Sequence, residues 1–212
     1  MGTYKKGILG SFSGKVGTVV GSSWNGIEYM RSLPKPSSKA PTDLQMIQRA
    51  KMGMAAGFLH PISALINLGY KSIAVRQSAF NVATSQLLAD GITGTYPDLA
   101  IDYPKVLISK GNLTGAWGPA VTSAGGKLDV TWQDNNTSGT AKPTDKVMLL
   151  VYNPEKSQYV FTMEGEDRSA LADSLNLPAD FAGDNVHVWI AFISADKKTV
   201  STSLYISEIL IA

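Results

Sequence analysis

Between Val16 and Leu33 the chain carries two apolar-rich runs separated by Asn25-Gly26. Asn-Gly is the favoured pair for a two-residue hairpin turn, because both central residues need positive φ. Such a turn fixes the register. It sets Trp24 opposite Ile27, Ser22 opposite Tyr29 and Val20 opposite Arg31. One face is then expected to carry Val16, Thr18, Val20, Trp24, Ile27, Tyr29 and Leu33. The other carries Gly17, Val19, Gly21, Glu28, Met30 and Ser32. An isolated hairpin is marginal in water, so the Trp24 face requires a cover. Gly17 and Gly21 leave the second face nearly bare, where another backbone can approach; twist or a bulge is the simpler account of both.

A polar stretch with Pro34, Pro36 and Pro41 follows, an extended linker without those amide donors. Thr42 to Gln45 has the form of a capping box, and the helix it opens is expected to reach about His60, where Pro61 breaks it. Leu44, Ile47, Met54, Phe58 and Leu59 fall roughly on one side of that helix. Gly53 and Gly57, four apart, suggest a closely packed neighbour. Ile62–Leu68 reads as a second short helix ending near Gly69, and Tyr70–Arg76 is ambiguous. Ser78–Asp90 reads as a third helix with Gly91 as its stop. Asp102–Ser109 is expected to be an edge strand, given Pro104, lying near the hairpin and helping to cover Trp24.

From about Leu113 helical spacing disappears and turn clusters recur. Lys127–Trp132 alternates, with Leu128, Val130 and Trp132 inward. Val147–Tyr152 is a buried strand, Gln158–Met163 pairs back on it, and Leu171–Phe181 crosses over. Val186–Ile193 is a central strand and Val200–Ile206 the last long one. About seven short strands at this spacing predict a β-sandwich. The fold class is therefore α+β: an N-terminal β-hairpin plus helices over 1–112, then an Ig-like antiparallel β-sandwich over 113–212.

GKVGTVVGSSWNG, the following MRSLP, the PTDLQMIQRAKM helix and FLHP resemble an uncharacterised family of Bacteroidota proteins known only as a domain of unknown function. The resemblance covers the N-terminal half best. It implies a fold and a taxonomic setting, and transfers no catalytic residues. The C-terminal strand order resembles a fibronectin type III module, with Trp132 on the second strand, Tyr152 on the third, and Leu175 and Leu177 before the penultimate one. Val188 stands where that pattern has tyrosine, so the resemblance supports an Ig-like sandwich more firmly than the subfamily.

The absence of cysteine excludes disulfides and thiolate metal sites. The start, MGTYKKGILGSF, has no apolar run long enough for a signal peptide, and no stretch approaches a membrane span. Cytoplasmic synthesis is the expectation, with incorporation into a particle as one outcome. The net charge of +2 hides an asymmetry: twelve basic and five acidic residues over 1–110, against seven and twelve over 111–212. A basic half and an acidic half can meet within or between copies, and head-to-tail contact of that kind gives rings or filaments.

Reactive constellations are scarce. His60 precedes Pro61 at a helix end and His187 sits beside Trp189; neither has the surroundings of a triad, and both read as structural. Gly10–Val16 is one residue short of a phosphate loop and has Val16 where Ser or Thr is needed. Glu164, Glu166 and Asp167, or Asp134 with Asn135 and Asn136, offer oxygens but no calcium-loop pattern. No catalytic, cofactor-binding or metal-ligating residue is assigned.

The leading reading is a non-enzymatic structural or assembly subunit, in a phage-like particle or filament for instance. It self-associates or docks through Lys15, Gly17, Gly21, Trp24, Tyr29 and Arg31. A second is a carbohydrate- or ligand-binding module using Trp117, Trp189 and Tyr159. The third is nucleic-acid binding by Lys5, Lys6, Lys15, Arg31, Lys35 and Lys39, interleaved with Tyr4, Phe12, Trp24 and Tyr29. It ranks below the others because Trp24 is needed by the hairpin and the charge excess is modest.

Overall fold

The computed structural model describes residues 2–4, 10–24, 26–36 and 38–212. Its chain forms two compact units, Met1–Asp43 and Leu44–Ala212.

The first unit is an antiparallel sheet of β1 (Thr3–Tyr4), β2 (Phe12–Val16), β3 (Val19–Trp24) and β4 (Ile27–Ser32), in that order. The β3–β4 register is the expected one: Trp24 faces Ile27, Ser22 faces Tyr29 and Val20 faces Arg31. Gly26 has φ +82, as such a turn demands, while Asn25 lies outside the described residues. The first run is not one strand, however. Gly17, at φ +58, and Thr18 make a second tight turn that folds Val16 back opposite Val19. Val16 therefore shares a face with Val19 and Met30, not with Trp24. Gly17 is a turn residue, whereas Gly21 is a point of close approach. A Cβ there would sit 2.1 Å from the Phe12 carbonyl oxygen.

α1 (Asp43–Leu59), all but the first residue of which lies in the second unit, starts directly after Thr42 and stops before Pro61. α2 (Ser63–Gly69) leaves it through an 89° bend. Among the described residues no single helix is long and apolar enough to cross a membrane. α3 (Ala79–Asp90) is capped by Ser78, whose hydroxyl accepts from the Asn81 amide at 3.2 Å. A hairpin of β5 (Ile92–Thr95) and β6 (Asp98–Ile101) follows. The strand expected over Asp102–Ser109 is absent. Tyr103–Lys105 is a 3-10 turn, and the chain beyond it buries Val106 and Ile108. The close neighbour expected at Gly53 and Gly57 is also absent, since an added Cβ would meet nothing within 4 Å.

Seven strands complete the fold: β7 (Trp117–Ala124), β8 (Lys127–Gln133), β9 (Lys146–Asn153), β10 (Gln158–Thr162), β11 (Ala172–Asn176), β12 (Asn185–Ile193) and β13 (Leu204–Leu210). They form sheets ordered β11-β8-β7 and β10-β9-β12-β13, an Ig-like antiparallel sandwich. The last strand begins later than expected, at Leu204, because the serines before it serve another purpose. The Ser201 hydroxyl accepts from the Phe192 amide at 2.8 Å, and Ser203 from the Ile108 amide at 2.9 Å. The first holds Ser201 to β12; the second, with the Ser109 hydroxyl donating to the Ser201 carbonyl at 2.8 Å, ties 108–109 onto the sandwich instead of extending the ladder.

Strands β9 and β12 are apolar at nearly every position because both faces of their sheet are covered. Val147, Leu149, Val151, Val188, Ile190 and Phe192 face the other sheet with Leu128, Val130 and Trp132. Met148, Leu150, Tyr152, Trp189 and Ala191 face the helices, packing with Phe58, Leu59, Leu65, Ile66 and Leu87. This shared core puts the helices in one unit with the sandwich. The division accordingly falls at 43/44, where packing changes, rather than at 112/113, where the sequence texture changes.

Candidate docking surface

The register of the small sheet gathers four of the six residues picked out in the hairpin. Lys15 pairs with Val20, and Val20 with Arg31; Ser22 pairs with Tyr29, and Trp24 with Ile27. Opposed residues in an antiparallel pair point the same way. Lys15, Arg31, Tyr29 and Trp24 thus share one face with Ile27. Gly21 lies on the other face with Val16, Val19 and Met30, and Gly17 sits in the turn.

This sheet has almost no interior. Among the described residues of 2–43 only Gly21 is buried. Seven large apolar side chains are exposed: Val16, Val19, Trp24, Ile27, Tyr29, Met30 and Leu33, with Met30 at 70% and Ile27 at 63%. A cleft of about 630 Å³ runs beside them, lined by Val19, Met30, Leu33 and Pro34. Lys15 and Arg31 rim the aromatic face. Lys5 and Lys6, the other basic residues of the nucleic-acid reading, lie outside the described residues, as does the side chain of Tyr4.

The residues of the ligand-binding reading do not come together. Trp117 is 49% exposed at the start of β7, on the three-stranded sheet. Trp189 is wholly buried on the other sheet, and its Nε1 donates to the Val106 carbonyl at 3.1 Å. It cannot contact a ligand from solution, because the layer of helices and 3-10 turn covers it. Tyr159 is half-buried, 4.6 Å from Tyr152 and 5.6 Å from Phe58 between ring centroids, and burial pushes its phenol well above the usual range.

The histidines sit apart from one another. His60 is exposed after α1, with its ring 6.4 Å from Phe80. His187 is buried, stacked at 3.9 Å on Tyr103, with Nδ1 3.0 Å from the Tyr205 hydroxyl. Burial lowers its pKa below the ordinary 6.5, against a smaller upward pull from Glu208. Tyr103, in turn, is pushed up to about 12, chiefly by burial.

The acidic loops are engaged internally. Glu164 pairs with Lys197 at 2.5 Å and Asp167 with Lys146 at 2.9 Å. The side-chain amide of Asn135 donates to the Gly115 carbonyl at 2.8 Å. Among the described residues no three His, Asp or Glu side chains converge as a metal set.

One buried centre escaped the sequence reading. Arg168 is fully buried and its guanidinium lies 3.8 Å over the Phe192 ring. Its Nε reaches Asp145 at 3.2 Å, while its terminal nitrogens donate to Asn135 Oδ1 at 2.9 Å and the Thr114 carbonyl at 2.7 Å. Its own carbonyl accepts from Trp132 Nε1 at 2.9 Å. The only sequence trace is an arginine among acids, in Glu164-Gly-Glu-Asp-Arg168.

No curated protein matches the chain. Solved structures resembling it include the fn3 domain of the human collagen alpha-1(XX) chain, at 16% identity and TM-score 0.33, over 48% of this chain and 87% of that one. Another is the chicken CNTN1 FN1-FN3 structure, at 11% identity and TM-score 0.35, over 49% of this chain and 33% of that one. A family of unknown function, DUF6266, matches residues 11–207, and the chain belongs to that family.

Proposed function

We propose that this protein is a non-enzymatic structural subunit in which the sandwich and its helical layer form the body and the N-terminal sheet is the element that docks or self-associates. The observation behind the reading is the lack of an interior among the sheet's described residues: seven exposed large apolar side chains against one buried residue, Gly21. Units near about 40 residues ordinarily rely on a disulfide, a metal or association. Cysteine is absent here. Fully burying a large apolar side chain stabilises by roughly 1.5–3 kcal/mol, so a surface covering even a few of these seven has a substantial driving force. A particle or filament subunit is one setting that fits.

Light scattering tests this on the full chain and on a chain lacking residues 1–33. The full chain is expected to show a multiple of its 22.6 kDa mass and the truncated chain a single mass. Equal, monomeric masses for both overturn self-association. A second reading draws on Lys15 and Arg31 beside Trp24 and Tyr29, a basic and aromatic face that suits single-stranded nucleic acid. A salt-dependent gel shift with an oligonucleotide separates it from the first.

A further inference from the structure

The outer edge of the small sheet is β4, whose six residues are all exposed. Its pairing with β3 runs without a bulge from Val19–Ser32 to Trp24–Ile27. It contains neither proline nor lysine, and its two charges, Glu28 and Arg31, are of opposite sign. Its amides are oriented by parity. The Leu33 amide donates inward to the Thr18 carbonyl at 2.7 Å. In an antiparallel ladder alternate residues turn their N–H and C=O groups the same way. Ile27, Tyr29 and Arg31 therefore face β3, and Glu28, Met30 and Ser32 present theirs to the open edge.

We propose that this edge pairs antiparallel with β4 of a second copy about a two-fold axis at Met30. The proposal rests on the docking reading above and names its partner and register. Opposed side chains must share a face, so a two-fold axis perpendicular to the sheet has to pass through a residue pair. That leaves four central positions. An axis at Glu28 sets two carboxylates against each other, and one at Arg31 sets two guanidiniums against each other. At Tyr29, Arg31 faces the other copy's Ile27 and Glu28 faces its Met30. At Met30, Tyr29 lies opposite Arg31, Ile27 opposite Leu33, Glu28 opposite Ser32, and Met30 opposite itself. This register alone opposes no like charges and sets no charge against an aliphatic side chain. It gives a guanidinium–aromatic contact twice, and Glu28, Met30 and Ser32 satisfy each other's outward amides. Pro34 and Pro36, without N–H groups, end the pairing beyond Leu33.

The absence of native cysteine makes the test direct. Met30→Cys and Ser32→Cys are made in the full chain and treated with a short thiol cross-linker. In the Met30 register opposed Cβ atoms lie about 4.5–5.5 Å apart, so Met30→Cys should convert to a double-mass species. Ser32→Cys alone should not, since its own copy is four residues, about 13 Å, away. Ser32→Cys mixed with Glu28→Cys should cross-link as a heterotypic pair. If the full chain associates but Met30→Cys cross-links no faster than Ser32→Cys, the β4 pairing is overturned and the docking reading stands. If the full chain and the chain lacking residues 1–33 are both monomeric, the β4 pairing and self-association fall together, and only docking to a different protein is left of the reading above.

Discussion

Arg168 is a fully buried charge that ties several parts of the sandwich together. Its charge is fully buried with Asp145, whose Oδ2 also accepts from the Lys142 amide at 2.8 Å. Burial disfavours the charged guanidinium, and Asp145 opposes that loss. Truncation to alanine strands a buried carboxylate and frees the Thr114 carbonyl and the Asn135 amide oxygen. Arg168→Ala should therefore lower stability by about 3–5 kcal/mol in urea unfolding, and Asp145→Ala in the same chain should recover part of it. His187 acts in the opposite sense, as a group buried neutral. Its folded pKa lies below the ordinary 6.5, so its contribution is complete above that value and is lost as pH falls below it. Thermal midpoints at pH 7.5 and 5.5 should show a drop on acidification that His187→Phe reduces.

Among the elements, α1 shows where its sequence and its packing part company. Its last turns bury Ala55, Phe58 and Leu59, while Leu44 and Met52 near its start and middle are exposed. Gly53 and Gly57 face open space in a helical backbone, where glycine costs about 0.8–1 kcal/mol relative to alanine. Gly57→Ala should raise stability by roughly that amount in urea unfolding. The hairpin register was legible because Asn25-Gly26 permits one close turn. Val16 was misplaced because Gly17-Thr18 turns with far less marked chemistry. The buried runs of β9 and β12 already carried the fact of two covers, since a one-sided sheet alternates. What the sequence could not show was which neighbour supplied the second cover, because Trp189 reads alike under helices or in a groove. Trp24, Tyr29 and Arg31 share a face by hairpin register alone, whereas Lys15 joins them only through the Gly17-Thr18 turn, which the sequence reading did not contain.

On the scale of the whole molecule, charge and packing divide the chain differently. The sequence splits into basic and acidic parts near residue 110, yet the unit boundary lies at 43/44. Across that boundary the N-terminal unit has six basic and two acidic residues and the remainder thirteen and fifteen. Most of the basic helical region thus shares a core with the acidic sandwich and is not a separate docking partner for it. Residues 44–212 hold both buried clusters. The chain lacking 1–33 used in the light-scattering test should accordingly keep the unfolding midpoint of the full chain, so a loss of assembly there reflects a lost surface and not a lost fold.

The two borders of the small sheet differ in length, and the difference limits growth. β1 has two residues and β4 has six. Were two copies to join through β4, the described residues would leave only β1, two residues long, at each outer border of the enlarged sheet. A join that consumes the longer border would then leave little described edge for a third copy, favouring a pair over a cross-β stack. Any larger lattice would have to be built through a chemically different contact, leaving the two steps free to be controlled separately.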